Sequence, residues 1–124
     1  MNHPEKNIAI VFGASGSIGS NITLQLQNKN FKVYDFSRNN NPTIDILNEN
    51  YLKDISNTFI KKNIKIKLFI NAIGFLHDEK YSPEKKIQDI NFKYMKKSFE
   101  INTIPTELMI KYFVPLMEND EKSI

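Results

Sequence analysis

Gly13-Ala14-Ser15-Gly16-Ser17-Ile18-Gly19 carries the clearest chemical signal in the chain. It follows a short apolar run, Ile8-Ala9-Ile10-Val11-Phe12, and opens a stretch of helical periodicity. A turn of this composition between a strand and a helix suits an anion, above all a diphosphate. The first N–H groups of a helix lack intrahelical partners, and the helix dipole favours negative charge beside them. Glycines let the anion approach the backbone, and the last glycine lets helix and strand pack closely. A bare G-x-x-G-x-x-G also serves ordinary tight turns, so its position between strand and helix gives the reading its weight. Gly13, Ser15, Gly16, Ser17, Ile18 and Gly19 are thus the candidate phosphate-binding residues.

A dinucleotide site of this type reads the adenosine ribose about twenty residues beyond the glycines. Ser37-Arg38 stands there. An acidic residue would bond both ribose hydroxyls and repel a 2′-phosphate, selecting NAD. A serine hydroxyl and a guanidinium instead suit that phosphate, and a charge-assisted contact is worth about 1.5–3 kcal/mol. The expected cofactor is therefore NADP (NADPH) over NAD. Asp35 lies two residues earlier, on the same strand face as Ser37. A slip in register would make it the ribose ligand and reverse the preference.

These residues need a scaffold, and the hydrophobic pattern supplies one. The run 8–12 is short, continuous and β-branched, as in a strand buried on both faces. Ile18, Ile22 and Leu26 form one helical stripe, closed by Asn28-Lys29-Asn30. Phe31 to Phe36 is a second strand, and Thr43 to Ile46 could be a short third. Asn48 can cap a helix carrying Tyr51, Ile55 and Phe59. Ile66 to Ile70 is a fourth strand, followed by a short helix near Glu84. A long helix runs from Phe92 toward Met117, with a kink or irregular turn expected at Pro105. Strands alternating with helices give an α/β fold, a Rossmann-type doubly wound parallel sheet with helices on both faces. Residues 1–124 read as one NAD(P)-binding domain. In a sheet of order 3-2-1-4-5-6 the fourth strand would be an exposed apolar edge. Lys122-Ser123-Ile124 looks like the start of another strand. The expectation is a domain truncated after the long helix.

Composition bounds the function. The 124 residues are 40% hydrophobic and 25% charged, ordinary for a soluble globular protein. No apolar run approaches a membrane span, and Met1-Asn2-His3-Pro4-Glu5-Lys6 lacks a signal-peptide core, so a cytoplasmic location is expected. With no cysteine, disulfides, zinc–thiolate sites and thiol catalysis are excluded. His3 and His77 have no ligand spacing, so no metal is expected. The net charge of +3 comes from scattered lysines, which argues against nucleic acid.

With Asn71-Ala72-Ile73-Gly74 after the fourth strand, the chain resembles the short-chain dehydrogenase/reductase superfamily. The stretch is similar to the family's Asn-Asn-Ala-Gly motif, which stabilises the sheet and lines the nicotinamide-ribose region. The glycine turn is similar to the family's G-x-x-x-G-x-G loop, with Ser17 where its second glycine falls and Gly16 beside it. Asp45, before Ile46, resembles the Asp that contacts adenine. Phe99-Glu100-Ile101-Asn102-Thr103-Ile104 is similar to the long-helix motif, whose Asn holds a water relaying protons to the catalytic lysine. That resemblance makes Asn102 the one catalytic candidate. By spacing, Met95, Phe99 and Asn102 share a helix face, which would place an amide on an otherwise apolar surface. The segments Asn71 to Leu76 and Phe99 to Met117 bring the C-factor-like branch to mind.

The resemblance implies an NADP-dependent oxidoreductase moving a hydride to or from a small carbonyl or alcohol. It also implies a homo-oligomer formed through the long helix. The match covers about half of a typical family member. The family's catalytic Ser and Tyr-x-x-x-Lys lie beyond that helix, and no Tyr–Lys pair stands in a corresponding place here. The chain alone is therefore expected to be inactive. Two other readings stay open: a nucleotide-sensing or partner-binding Rossmann module without catalysis, and a fragment of an extended-type epimerase or dehydratase.

Overall fold

The computed structural model describes residues 7–37, 46–75 and 79–119. Three parallel strands, β1 (Asn7–Phe12), β2 (Phe31–Phe36) and β3 (Leu68–Asn71), form a sheet in the order β2-β1-β3. The Rossmann-type architecture is as expected, with the glycine-turn strand in the middle. Because β1 pairs on both edges, its side chains are enclosed: Ala9, Ile10, Val11 and Phe12 are all 0% exposed. Strand alternation splits them between two cores. Ala9 and Val11 pack with Leu26 of α1 (Ser17–Asn28). Ile10 and Phe12 pack with Leu52 and Phe59 of α2 (Glu49–Lys61) and with Met109 and Phe113 of α4 (Ile104–Phe113).

Helix ends follow local chemistry. Asn48 caps α2, its side chain accepting from the Asn50 N–H at 3.0 Å. After α1 and α2 the chain turns through Asn30 (φ 68°) and Asn63 (φ 53°), left-handed positions that asparagine tolerates. The stripe on α1 is shorter than its periodicity suggests. Leu26 is buried and Ile22 packs beside it, but Ile18 is 69% exposed and joins neither core.

Three expected elements differ from the sequence reading. The fourth expected strand is β3, and it begins at Leu68. Ile66 lies before it and makes a parallel bridge to Met117, with Ile66 N donating to Leu116 O at 3.0 Å and Glu118 N to Ile66 O at 2.8 Å. The short helix expected near Glu84 is a 3-10 turn at Ile87–Asp89. It starts late because the Asp89 carboxylate accepts from the Lys85 and Lys86 N–H groups. Of the expected third strand, Thr43, Ile44 and Asp45 lie outside the described residues, and Ile46 sits in a turn.

The long helix is two helices. α3 (Phe92–Asn102), capped by Asn91, ends at Thr103, and α4 starts at Ile104 with Pro105 in its first turn. Proline has no N–H to continue the ladder of α3 and favours a helix start, so the interruption falls where it was expected. Pro115 stops α4 in the same way, and a 3-10 turn follows at Val114–Leu116. The Tyr112 carbonyl, near the end of α4, accepts from the buried Ser56 hydroxyl of α2 at 3.1 Å. Among the described residues no helix is long and apolar enough to cross a membrane.

α2 and α4 are also tied at the surface. The Glu49 carboxylate accepts from Lys111 Nζ at 2.8 Å and from the Tyr112 hydroxyl at 2.7 Å. The Lys111 hydrogen bond, aided by the Tyr112 bond and the lysine charge, holds the Glu49 carboxyl below its ordinary value of 4.5. A depressed carboxyl stabilises the fold above its unfolded value, and that contribution is lost as pH falls through the folded value. Glu49→Gln should be less stable than wild type at neutral pH, and the two should converge in acid. Urea midpoints for both proteins, taken from neutral pH into the acid range, check this; a constant offset would contradict it.

Candidate functional site

The cleft lies at the C-terminal ends of the strands, where ligands bind in open α/β sheets. Its volume is about 430 Å³. One wall is the turn after β1, with Gly13, Ser15 and Gly16, joined by Ser37 just past β2. The opposite wall is Ala72-Ile73-Gly74 after β3. Ile46, Leu47 and Ile101 line it as well.

Each glycine of the turn answers to a different contact. Gly13 has φ +83°, and a Cβ there would meet the Ala72 carbonyl carbon at 2.9 Å and the Ile73 nitrogen at 3.0 Å. The two walls therefore touch at Gly13. Gly19 is buried beneath the turn, and a Cβ there would overlap the Gly13 carbonyl oxygen and come within 2.7 Å of its carbon. Gly16 differs: the nearest atom to an added Cβ is the Gly13 oxygen at 3.5 Å, an ordinary contact. Packing inside the protein does not require glycine at that position, which lies on the cleft.

Gly16 is also the N-cap of α1. It has no side chain to cap the helix, and the first turn holds no acidic residue. α2 and α3, by contrast, are closed by Asn48 and Asn91. The side chains on the first turn of α1 bond within the helix: Ser20 Oγ and Asn21 Nδ2 both donate to the Ser17 carbonyl.

The opposite wall is held from behind. Asn71 Oδ1 accepts from the Ile73 N–H at 3.0 Å, and its Nδ2 donates to Thr106 Oγ1 at 2.9 Å. Asn102 Oδ1 accepts from the Phe75 N–H at 2.6 Å, while its Nδ2 donates to the Phe75 carbonyl at 2.7 Å and to Ser98 Oγ at 3.1 Å. The expected cost of an amide on an apolar face does not arise. Asn102, Met95 and Phe99 are all exposed, and the amide is hydrogen-bonded.

The expected residues thus separate into groups. Gly13, Ser15, Gly16, Ser37, Ala72, Ile73 and Gly74 come together on the cleft. Ser17 and Ile18 are exposed on the first turn of α1, while Gly19, Asn71 and Asn102 support the walls. Arg38 and Asp45 lie outside the described residues. Ser37 is 3% exposed, whereas Asp35, paired with Val11 within β2, is exposed and off the cleft. The sequence reading did not pick out Ile46, Leu47 or Ile101 as site residues. Each adjoins or nearly adjoins a polar candidate, but an apolar side chain at a cleft has no signal separating it from core. Tyr81 has Lys85 at the Tyr-x-x-x-Lys spacing, but residues 81–84 are not helical, so the pair is not presented on one helix face.

A parallel sheet with a glycine-rich turn at the foot of its first helix is a Rossmann-type arrangement. No family model matches the chain. A Helicobacter pylori protein described as a probable short-chain type dehydrogenase/reductase, VdlC, is 26% identical over 124 residues, 90% of this chain and 44% of that protein. The ligand-free aldohexose dehydrogenase AldT of Thermoplasma acidophilum is 21% identical with a TM-score of 0.74, covering 91% of this chain and 45% of that one. ElxO with NADP bound is 16% identical with a TM-score of 0.77, covering 90% and 50%. The chain is similar in sequence to that probable short-chain dehydrogenase/reductase and in fold to the two solved structures, and it spans about half the length of each.

The different contacts of the glycines give a stability test. Gly19→Ala forces a methyl into the β1 turn and should cost at least about 2 kcal/mol, within the range for overpacking a tight site. Gly16→Ala should stay within about 1 kcal/mol of wild type, since only a helix-cap preference changes. Denaturant midpoints of the two variants decide it, and equal losses would contradict the assignment.

Proposed function

We propose that this chain binds a nicotinamide dinucleotide in the cleft, with residues 1–124 acting as one nucleotide-binding domain of a reductase or dehydrogenase. The observation that carries the reading is the first turn of α1, left without a side-chain cap beside a cleft-facing glycine. A diphosphate fits this cradle: backbone N–H groups would bind it, and no side chain at Gly16 would block its approach. Ser15, Ser17 and the exposed Ile18 flank the same turn. The nicotinamide ribose goes to Ala72-Ile73-Gly74, and the adenosine to Ser37, Ile46, Leu47 and Ile101, with Asp45 as its further partner. Ser37 on the cleft, Asp35 off it, and Arg38 next in sequence favour NADP over NAD. ElxO binds NADP on the same fold.

When bound, the nicotinamide supplies the hydride for a small carbonyl or alcohol. These 124 residues bind and orient it. With Tyr81 and Lys85 off any helix, they offer no general acid of the family's kind, so the chain alone should bind without turnover. This non-catalytic behaviour is also what a sensing module would display. Asn102 contributes by fixing Phe75 at the edge of the cleft.

Titration of the 124-residue protein with NADPH and NADH, followed by nucleotide fluorescence, tests the reading. NADPH should bind more tightly, and Arg38→Ala should weaken it by about tenfold while sparing NADH. Binding of neither nucleotide would reject the site. Binding with no preference would reject the part given to Ser37 and Arg38.

The partner in this reading is a second copy docked through α3. Phe92, Met95 and Phe99 fall on one face of that helix, and Phe99 is 58% exposed. Sedimentation should give a dimer for wild type and a monomer for Phe99→Glu. A monomeric wild type would refute it.

A further inference from the structure

We propose that Thr106 is a positioning residue for the nicotinamide-side wall, an inference that rests on the nucleotide reading above. Residues 72–75 leave β3 without regular structure, yet three of them line the cleft. Two side chains from across the helix break hold this segment at its two ends. Asn102, the last residue of α3, bonds both backbone groups of Phe75. Thr106, in the first turns of α4, holds the Asn71 amide at 2.9 Å. Four residues apart, the two would lie one above the other on a single unbroken helix. The interruption at Thr103 separates them into different helices.

The Thr106 hydroxyl does a specific job. An asparagine amide can present either its oxygen or its NH₂ in a given direction. Because Thr106 Oγ1 accepts from Nδ2, Oδ1 faces the Ile73 N–H, which it accepts at 3.0 Å. That bond sets the turn at Ala72-Ile73. There is little room for error, since Gly13 has space for no Cβ against this turn. Without the hydroxyl, the Asn71 NH₂ loses its acceptor in a half-buried site. The amide is then free to rotate, and Ile73 loses its fixed partner. Thr106 does not line the cleft and acts only through Asn71.

The test compares Thr106→Val, which keeps the shape and removes the hydroxyl, with Thr106→Ser, which keeps the hydroxyl. Two readouts are taken on the 124-residue protein: NADPH affinity by fluorescence, and amide hydrogen exchange at Ile73 and Phe75. Thr106→Val should weaken NADPH binding about fivefold and speed exchange at Ile73 by a similar factor. Exchange at Phe75, held by Asn102, should not change, and Thr106→Ser should restore both readouts. Unchanged exchange in Thr106→Val overturns the inference, as does faster exchange with unchanged NADPH affinity. A Thr106→Ser variant as impaired as Thr106→Val overturns it too, by assigning the effect to the lost methyl. If wild type binds no NADPH, the nucleotide reading falls, and exchange at Ile73 still decides whether Thr106 holds the turn.

Discussion

The packing of Gly19 against the Gly13 carbonyl sets the distance between the first helix and the first strand. A side chain at Gly19 would lift the start of α1 away from the sheet. The close approach puts the N-terminus of α1 directly over the end of β1, where Phe36 O accepts from Gly13 N at 2.8 Å and Phe12 O accepts from Ala72 N at 2.8 Å. One carbonyl thus anchors the helix while its neighbours anchor the second and third strands. The cleft is what remains between an uncapped helix end and the segment after β3. On this side its width follows from main-chain packing at Gly13 and Gly19.

The opposite side of the site depends on a break rather than a close contact. Pro105 ends one helix and permits another, so the chain delivers two polar side chains, Asn102 and Thr106, to opposite ends of one short segment. The apolar faces of α3 and α4 then serve different ends. α4 turns Met109 and Phe113 into the core, whereas α3 leaves Phe99 and Met95 at the surface. A straight helix over the same residues would have to satisfy both demands with one orientation. The Glu49 contacts tie α4 to α2 at the surface, and the Ser56 bond ties them beneath it.

β1 was legible in the sequence because a buried parallel strand is a short β-branched run, as 8–12 is, whereas β2 carries exposed Lys32 and Asp35 among half-buried aromatic residues and Val33. The start of β3 was less so, since Ile66 belongs to the same apolar run as Leu68 but pairs with Met117, a partner distant in sequence. Ile18 shows the limit of periodicity: it has helical spacing with Ile22 and Leu26, yet it joins neither core. The cleft divides in the same way. Gly13, Gly16 and Gly19 were identified by their spacing between a strand and a helix, and Asn71 by its resemblance to a family motif; Gly13 and Gly19 prove to be close main-chain contacts. Leu47 and Ile101 were not, because an apolar side chain carries no such mark. Thr106 went unnoticed because its only distinction is a partner 35 residues away.

This division bears on how a chain 16% to 26% identical to its relatives can share their fold. The sheet needs only apolar residues of suitable size on alternate faces, and many sequences meet that demand. Gly13, Gly16 and Gly74 bring main chain to the cleft, and main-chain donors persist whatever the side chains are. Residue identity matters where a Cβ must be absent, as at Gly13 and Gly19, and where a side chain must bond backbone, as at Asn71 and Asn102. Such positions are few, so overall identity can fall far while the site keeps its shape. Ser37 lies on the same cleft, buried just past the end of β2.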